Sequence, residues 1–398
     1  IGFAENNHNF SMLNILLLDG HTVQSVSVAR ALKKTGYKVS AFISERLSFG
    51  AVCRYIDERI WAPHTGDSER YIRFLSDYLT RNRVDVIIPM YDDSAELLSR
   101  NKAMLEARFS VRCAVPDFPV FDKAHDKWKL MGLCRKCGFP HPATERLSEE
   151  NIEMAAAYVG FPAIIKPNIS AGAKGIVQVN SIEDIVRKFP VIYRQFGACT
   201  LQHFINHSGI YYNVMLYRSA QGHLIGWTVL KIMRYFPLKG GTSCYCETIQ
   251  HDSLIRICAQ VLDELQWVGF ADFDIMEEKD TGKLKIIEIN PRIPASIHGA
   301  YVSGVNFPDI IVRDVMGESV EQSGYRPGKS LRFMGLDFMW FLFSPDRFRF
   351  RPSWFRFFGR NVYYQDGCFK DPLPMLMGCV SGILKYLHPA FRKSKLGI

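Results

Sequence analysis

The stretch KLKIIEINPR, residues 283–292, places polar side chains at alternate positions of an otherwise apolar run. Glu288 and Asn290 are two residues apart, so on a β-strand they lie on the same face of the sheet. A carboxylate and an amide oxygen are the hard ligands that magnesium prefers. Pro291 ends the strand and Arg292 follows it. The stretch therefore predicts a strand that presents a metal site.

A second acidic strand precedes this one. The segment GFADFDIMEE, residues 269–278, carries Asp272 and Asp274, and the Asp-Thr-Gly sequence at 280–282 is typical of a hairpin turn. We therefore expect antiparallel pairing that brings Asp274 beside Glu288. The predicted metal ligands are Asp274, Glu288 and Asn290, and the alternative is a solvated strand that carries acids with no ligand.

The segment IIKPNISAGAKGIVQV, residues 164–179, places Lys166 after an apolar run and before a loop of small residues. It does not match the P-loop pattern, because Lys174 precedes the last glycine and Ile176 occupies the position of the required Ser or Thr. A lysine between apolar residues and proline needs a compensating partner. The segment predicts either a phosphate-covering loop of another kind or a plain hairpin.

Strands and helices alternate in the first part of the chain, which predicts a small parallel α/β unit. Only Gly20 follows the first predicted strand, so the dinucleotide-binding fingerprint is absent. After residue 118 strands dominate. The predicted elements are strands at 13–20, 37–44 and 84–89, and helices at 23–36 and near 122–137, 181–189 and 251–265.

The composition describes an ordinary folded protein, with 398 residues, 47% hydrophobic and 22% charged. No stretch reaches the roughly 18 apolar residues of a membrane-spanning helix. Ten cysteines include the pairs Cys134/Cys137 and Cys244/Cys246, but no second pair completes a zinc site, so buried thiols are expected. Residues 1–12 have no signal-peptide pattern and are interpreted as a leader or expression remnant. A cytoplasmic protein is expected.

These motifs together resemble the ATP-grasp superfamily, the ADP-forming carboxylate ligases, and within it the carboxylate–amine ligase branch that includes carbamoyl-phosphate-synthase-like proteins. The lysine–proline strand with its glycine-rich loop and the paired acidic strands carry the resemblance. RYFPLKGGTS, residues 234–243, and SGVNFPDI, residues 303–310, add to it. The likeness covers about residues 13–320, including the α/β unit that these enzymes place before the grasp.

The resemblance implies a site that binds ATP with Mg²⁺, or Mn²⁺ as an alternative. Lys127 and Lys166 match the lysines that reach the phosphates, Arg292 matches the arginine beside the transferred phosphoryl group, and Lys166 and Arg292 are the expected catalytic residues. Asp274, Glu288 and Asn290 match the metal ligands. The remaining implied nucleotide contacts are loop residues Ser170, Gly172 and Gly175, hinge residues His203, Phe204 and Ile205, Tyr211 at the ribose position, and Lys231.

Two positions depart from the family pattern. In LQHFI, His203 replaces the usual hinge glutamate, and Tyr211 stands where a ribose-binding glutamate is common. Backbone groups of Phe204 and Ile205 would then read the adenine ring. These departures leave the preference for ATP over GTP open.

The fold class expected is α/β with an α+β grasp: a pre-ATP-grasp α/β domain at 13–118, an ATP-grasp domain at 119–324 and a basic, aromatic-rich extension at 325–398. The implied function is ATP-dependent activation of a carboxylate as an acyl-phosphate, which an amine then displaces; envelope polysaccharide or amino-acid-conjugate synthesis is the expected context. The alternative is a nucleotide-binding scaffold or sensor of the same fold without ligase activity.

The net charge of +9 comes from the last part of the chain. Residues 325–398 hold 13 Lys and Arg against 4 Asp and Glu, whereas the rest of the chain is balanced at 36 of each. The segment 338–396 interleaves aromatic and basic residues and ends in a predicted helix with Met375, Cys379, Ile383 and Leu387 at intervals of four. Three alternatives stay open: a packed cap, a peripheral membrane contact, and nucleic-acid binding, which lacks a supporting motif. A homodimer is a further alternative.

Overall fold

A computed structural model describes residues 12–169, 175–238, 241–322 and 324–387. The predicted leader at 1–12 lies outside these ranges except for Met12. The N-terminal unit is a five-stranded parallel sheet of order β3-β2-β1-β4-β5 with helices on both faces. Its elements are β1 Asn14–Leu17, α1 Val23–Lys34, β2 Lys38–Ile43, α2 Phe49–Val52, β3 Glu58–Trp61, α3 Ser68–Arg81, β4 Val86–Ile88, α4 Asp92–Arg108 and β5 Arg112–Cys113.

The next unit is a small antiparallel sheet of order β6-β9-β7-β8. Two helices cover it through an apolar cluster that includes Ile165, Phe189 and Leu201. The elements from the connecting helices onward are α5 Phe118–His125, α6 Lys127–Cys137, β6 Thr144–Leu147, a 3₁₀ turn Glu149–Asn151, α7 Ile152–Val159, β7 Ala163–Pro167, β8 Val177–Val179, α8 Ile182–Phe196 and β9 Cys199–His203.

The largest sheet has seven strands in the order β14-β13-β10-β11-β12-β15-β16. All its neighbours are antiparallel except β15 and β16. Its elements are β10 His207–Arg218, β11 Leu224–Phe236, β12 Thr242–Thr248, α9 Asp252–Leu265, β13 Gly269–Glu278, β14 Leu284–Asn290, α10 Ile297–Val302, α11 Phe307–Val315, β15 Ser330–Arg332, α12 Met334–Phe343, β16 Val362–Tyr364 and α13 Leu373–Leu387.

Alternate side chains of the large sheet lie on opposite faces, and each face packs against a different set of helices. Met215 and Leu230 lie on the face that shares one apolar cluster with α1, α10 and α11, so the N-terminal unit and the large sheet have a continuous core. Val214 and Val229 lie on the other face, which packs against α6 and α9. Both faces of the large sheet are therefore covered by packed helices.

The C-terminal extension is an integral part of the fold. β15 and β16 add two strands to the large sheet, and α13 packs against α2 of the N-terminal unit. The predicted boundary at residue 325 is therefore wrong as a structural division, because the sheet continues across it. The packed-cap alternative for this segment is confirmed. No helix within the described ranges is long and apolar enough to span a bilayer.

The cysteines are free thiols, as expected. Cys134, Cys244 and Cys246 are buried and Cys137 is half-buried. Burial raises the pKa of the Cys134 thiol to about 12, so this thiol is an apolar packing group and not a nucleophile.

Candidate functional site

Two lysines, one at the start of α6 and one on β7 of the small sheet, face the acidic hairpin. Lys127 is the first residue of α6, whose N-terminus is capped by the Asp126 carboxylate, and its backbone N–H donates to the Asn168 carbonyl at 3.1 Å. Asn168 follows β7, the strand that carries Lys166. The two lysines are therefore held near each other by short-range backbone geometry, and both are almost completely buried.

The acidic hairpin has the predicted register. Asp274 on β13 pairs directly with Glu288 on β14, and Asp272 pairs with Asn290. A register shift follows Asp274, so Ile286 pairs with Ile275 and lies on the opposite face from Glu288, which strict alternation did not predict. Antiparallel partners lie on the same face, so the predicted ligands converge.

The lysines and the hairpin meet in one cluster. The Lys127 ammonium lies 3.3 Å from a Glu288 carboxylate oxygen. Asn213 on β10 donates to Asp274, and the Asn290 amide donates to the other Asp274 oxygen at 3.3 Å. Asn213 was not predicted, although a lone asparagine in the apolar run of β10 was the available signal.

The pKa values of the charged groups in this cluster are shifted in opposite directions. Burial alone would raise the pKa of Glu288, but Lys127 and Lys166 lower it to about 2. Burial, and then the neighbouring Lys127 charge, lowers the pKa of Lys166 to about 7. Burial and the facing Glu288 raise the pKa of Asp274 to about 8. Groups with such opposed shifts in one cleft are typical of functional sites.

Arg292 connects this cluster to the N-terminal unit. Its guanidinium donates to the Asn290 amide oxygen at 3.2 Å, and its Nε lies 3.4 Å from Asp92 at the start of α4. That approach is an ion pair without hydrogen-bond geometry, and within the described residues its two atoms, together with one Asp272 oxygen, are buried without a hydrogen bond. Such buried orphan atoms need an explanation, and a bound ligand is one. Asp92 was not predicted because its proximity depends on tertiary structure.

The small-residue loop is described only at its end. Ser170 and Gly172 lie outside the described residues. Gly175 has a φ of +75°, and a Cβ there would lie 2.8 Å from Pro167 and 2.9 Å from the Phe196 ring. Only glycine fits where the loop returns to the sheet.

The hinge residues follow β9 but do not present all the predicted groups. The Phe204 backbone N–H donates to the Pro162 carbonyl at 2.9 Å, so this one donor is occupied, and the prediction that backbone groups of Phe204 and Ile205 read adenine stays a prediction. His203 contacts the Val159 carbonyl through Nδ1 at 3.1 Å. The Ile205 side chain is buried, and its role remains a prediction.

Tyr211 lies on β10 on the same face as Asn213. Its hydroxyl donates to the Gly241 carbonyl at 3.3 Å, and its ring packs edge-on against Tyr235. Burial, and then the nearby Asp274, raises the pKa of this phenol, which therefore stays neutral. Tyr211 therefore presents an uncharged aromatic ring on this face, and its place at the ribose stays a prediction.

Lys231 is not placed as predicted. It pairs with Tyr212 on β10 and Glu247 on β12, whereas Asn213 and Asp274 occupy the alternate positions. Lys231 therefore lies on the opposite face of the sheet from the acidic cluster, and the prediction that it faces the phosphates was wrong.

Carboxylates and histidines do not form a metal cluster by themselves. Within the described ranges no three His, Cys, Asp or Glu side chains are grouped to hold a metal ion. The predicted set contains two carboxylates and one amide, which is a sparse donor set of the kind that suits magnesium with water and phosphate oxygens as its other ligands.

Comparison with protein families gives one matching model, described as "ATP-grasp in the biosynthetic pathway with Ter operon", over residues 228–334. The D-alanine–D-alanine ligase of Pseudomonas entomophila is 21% identical over 50% of this chain and 66% of the ligase. The carbamoyl phosphate synthase large chain of Pseudomonas putida is 23% identical over 56% of this chain and 21% of the synthase. This chain thus spans less than two thirds of either protein.

Two further proteins cover more of both chains. The D-aspartate ligase of Enterococcus faecium is 21% identical over 75% of this chain and 76% of the ligase. The biotin carboxylase domain of Hydrogenobacter thermophilus 2-oxoglutarate carboxylase, solved with MgADP and bicarbonate, superposes with a TM-score of 0.67 at 17% identity. It covers 80% of this chain and 74% of the domain. With its parallel N-terminal sheet and two antiparallel sheets, the chain shares the fold of this neighbour, and its residues 228–334 are similar to an ATP-grasp domain.

Proposed function

We propose that the protein is an ATP- and Mg²⁺-dependent ligase that phosphorylates a substrate carboxylate and joins the resulting acyl-phosphate to an amine, with release of ADP and phosphate. The observation that carries the proposal is the convergence of Lys127 from α6, Lys166 from β7 of the small sheet and Glu288 from β14 of the large sheet. Relatives named as D-alanine–D-alanine and D-aspartate ligases support this reaction class. We propose amino-acid-sized substrates on the same basis.

The residues of the hairpin fit a magnesium ion. Asp274 and Glu288 are half-buried and directly opposed, and each charge is unfavourable for the other. A divalent cation between them, with the Asn290 amide oxygen as a third ligand, would remove that repulsion. Bound there, the ion would neutralise charge on the ATP phosphates.

The lysines supply the remaining positive charge. In the structure Lys127 pairs with Glu288, and Lys166 lies near both. ATP phosphates entering this cleft would give each ammonium an anionic partner. Phosphoryl transfer requires alignment and charge neutralisation more than a covalent protein intermediate, and two lysines at fixed positions provide both.

Arg292 is placed to act on the carboxylate substrate. It lies between Asn290 on the hairpin and Asp92 at the start of α4. Its Nε has no hydrogen-bond partner within the described residues. We propose that this donor binds the substrate carboxylate, holds it in line with the γ-phosphate and then stabilises charge on the acyl oxygen.

The amine has a candidate site on the other side of Asp92. A cavity of about 210 Å³ opens at the carboxyl ends of β1 to β4, the edge where α/β sheets bind ligands. Asp19, Glu45 and Asp93 line it, and the buried Tyr71 hydroxyl that also lines it has no hydrogen-bond partner within the described residues. Glu45 is paired with Lys385 of α13 and two histidines complete the lining, so the carboxylates of Asp19 and Asp93, with the small size of the cavity, favour a small protonated amine.

The sequence Tyr91-Asp92-Asp93 joins this cavity to the phosphate site. Tyr91 and Asp93 line the cavity, whereas Asp92 lies 3.4 Å from Arg292. An amine held by Asp93 would thus be separated by one residue from the activated carboxylate, and the acidic side chains would accept its proton as it attacks.

The proposed function is tested by ADP release from ATP and Mg²⁺ in the presence of pooled amino acids and sugar acids. We expect release that depends on the pool and falls by at least about 100-fold in Lys166→Met, because a charge that is worth more in the transition state is lost. Lys136→Met, an exposed lysine on α6, is the matched control. Tight ATP binding without pool-dependent release would contradict the ligase and favour the scaffold alternative.

The amine site is tested separately with hydroxylamine, a small nucleophile that traps acyl-phosphates as hydroxamates. Tyr71→Phe should leave hydroxamate formation unchanged and raise the KM of the most active amine in the pool about 10- to 100-fold, the value of one lost hydrogen bond to a charged group. Tyr78→Phe, on the same helix but outside the cavity, is the control. An unchanged KM in Tyr71→Phe would contradict the site even if hydroxamate forms.

A further inference from the structure

The C-terminal helix α13 presents an apolar stripe to solvent. Leu376, Val380 and Ile383, together with Leu373, Leu384 and Leu387, are 48–69% exposed and recur at helical spacing. The opposite side of the helix is half-buried, and Gly378 lies against the Phe49 ring of α2. The helix is thus docked through one apolar face and leaves a second one uncovered over about 20 Å of its length.

The neighbouring helix extends this exposed surface. α12 contacts α13, and its Phe338, Leu342 and Phe343 are 44–49% exposed. Phe348, Phe355 and Phe358 in the following segment are still more exposed. A soluble surface seldom carries so many large apolar side chains within 50 residues, and such a surface marks an interaction site.

Basic residues are interleaved with these aromatic side chains. Arg349, Arg351, Arg356 and Arg360 are all exposed. Within the described residues, no ion pair joins these four arginines to an acidic side chain. The sequence after α13 adds Arg392, Lys393 and Lys395. The apolar surface is therefore framed by positive charge that is not neutralised within the fold.

We propose that this face, formed by α12, residues 345–360 and α13, binds the surface of an anionic membrane. The apolar side chains of α13 would enter the interface between headgroups and acyl chains, with the arginines at the lipid phosphates. No helix in the described part of the chain, α13 included, is long and apolar enough to span a bilayer, so we place α13 in the interface plane.

Charge argues against a second copy of the chain as the occupant. Residues 325–398 carry 13 basic and 4 acidic residues, and three of the acidic ones, Asp337, Asp366 and Asp371, are buried. Two such faces would repel each other across a dimer interface, whereas a phosphate-rich surface complements them. The proposal does not depend on the ligase activity.

The test is co-sedimentation of the full chain with vesicles of phosphatidylcholine containing about one third phosphatidylglycerol, compared with pure phosphatidylcholine. We expect the chain to pellet with the anionic vesicles alone and to be released as salt is raised. The double substitution Leu376→Glu with Ile383→Glu should lower the partition coefficient at least about 100-fold, because two apolar side chains that would enter the membrane interface become charged.

The matched control is Met154→Glu with Val191→Glu, two similarly exposed apolar residues on α7 and α8. It should pellet like the unmodified chain. Point substitutions are used because ending the chain at residue 325 would delete two strands of the large sheet. Failure to pellet with anionic vesicles, equal pelleting of the α13 variant, self-association that the same substitutions abolish, or binding to single-stranded RNA in place of vesicles would each overturn the proposal.

Discussion

Two buried ionic networks in this chain look alike in composition and differ in how well they are satisfied. In the first, Asp337 lies between Arg234 and Arg332, all three side chains fully buried at the junction of β11, β15 and α12. In the second, Lys127 and Lys166 face Glu288 and Asp274 across the cleft, and Arg292 lies beside this group, close to Asp92 and Asp272. We call these the arginine triad and the cleft cluster.

The arginine triad is complete. Arg234 donates to both Asp337 oxygens at 2.8 and 3.0 Å, and its remaining nitrogen reaches the Pro352 carbonyl. Its guanidinium also lies 4.1 Å from the Tyr245 ring centroid. Within the described residues no side-chain polar atom of the triad is left without a partner.

The cleft cluster is not complete. Atoms of Asp92, Asp272 and Arg292 are buried without hydrogen bonds within the described residues, and two carboxylates face each other. A satisfied network stabilises the fold by itself, whereas an unsatisfied one stores unfavourable energy that a ligand can relieve. The difference teaches that buried charge alone does not mark a binding site, but buried charge with missing partners does.

The largest effect is expected in the arginine triad. Asp337→Ala leaves two buried guanidinium groups without their counter-ion and should lower the free energy of unfolding by about 3–5 kcal/mol. Urea denaturation measures this change, with Asp346→Ala at an exposed position of the same segment as control. A loss similar to that of the control would mean that the triad is not the structural network described above.

Removing a buried charge from the cleft cluster should affect turnover and leave the stability of the fold largely unchanged. Lys166→Met removes a buried charge that lies near a second lysine, so the free energy of unfolding without ligand should stay within about 1 kcal/mol or rise. Turnover should fall at least about 100-fold. Urea denaturation and ADP release measured on the same preparation test both parts. A large loss of unfolding free energy in Lys166→Met would mean that Lys166 stabilises the fold, as the arginine triad does.

A smaller effect is expected at Asp19, a buried carboxylate outside both networks. Burial, partly offset by a hydrogen bond from Ser94, raises its pKa from 3.8 to about 6. Below pH 4 both folded and unfolded forms hold the proton and there is no penalty. As pH rises to 6 the unfolded state releases its proton first, so folding loses about 2–3 kcal/mol by pH 8.

Asp19→Asn removes that penalty and keeps the size of the side chain. Asparagine also tolerates the φ of +57° at this position. The stability of the variant relative to the unmodified chain should therefore increase by about 2–3 kcal/mol between pH 4 and pH 8. Chemical denaturation at both pH values measures the difference. A stability difference that does not change with pH would contradict the raised pKa.

The hairpin could be predicted from sequence because its constraints are local. The Asp-Thr-Gly turn sets the register, and the register places Asp274 against Glu288. The strand at Lys166 was also legible from its apolar run, whereas the helix predicted near 122–137 is divided at Asp126 into α5 and α6. The resemblance supplied the pairing of these distant segments, which no local pattern contains.

The features that the sequence did not predict depend on contacts between distant parts of the chain. β15 and β16 have three residues each, too few for a pattern, and they form because β12 offers a free edge. Lys231 was misplaced because its motif gives no register for β11. The arginine triad joins residues 103 apart in sequence, and nothing in RYFPLKGGTS distinguishes Arg234 from an exposed arginine.

The central claim is that the cleft cluster is incomplete because it awaits a metal–nucleotide ligand. Calorimetric titration with ATP, with and without Mg²⁺, tests it most directly in the unmodified chain, in Glu288→Gln and in Glu264→Gln, an exposed glutamate on α9. We predict that Mg²⁺ strengthens ATP binding in the unmodified chain and in Glu264→Gln, and that this dependence disappears in folded Glu288→Gln. Equal Mg²⁺ dependence in all three proteins would contradict the account.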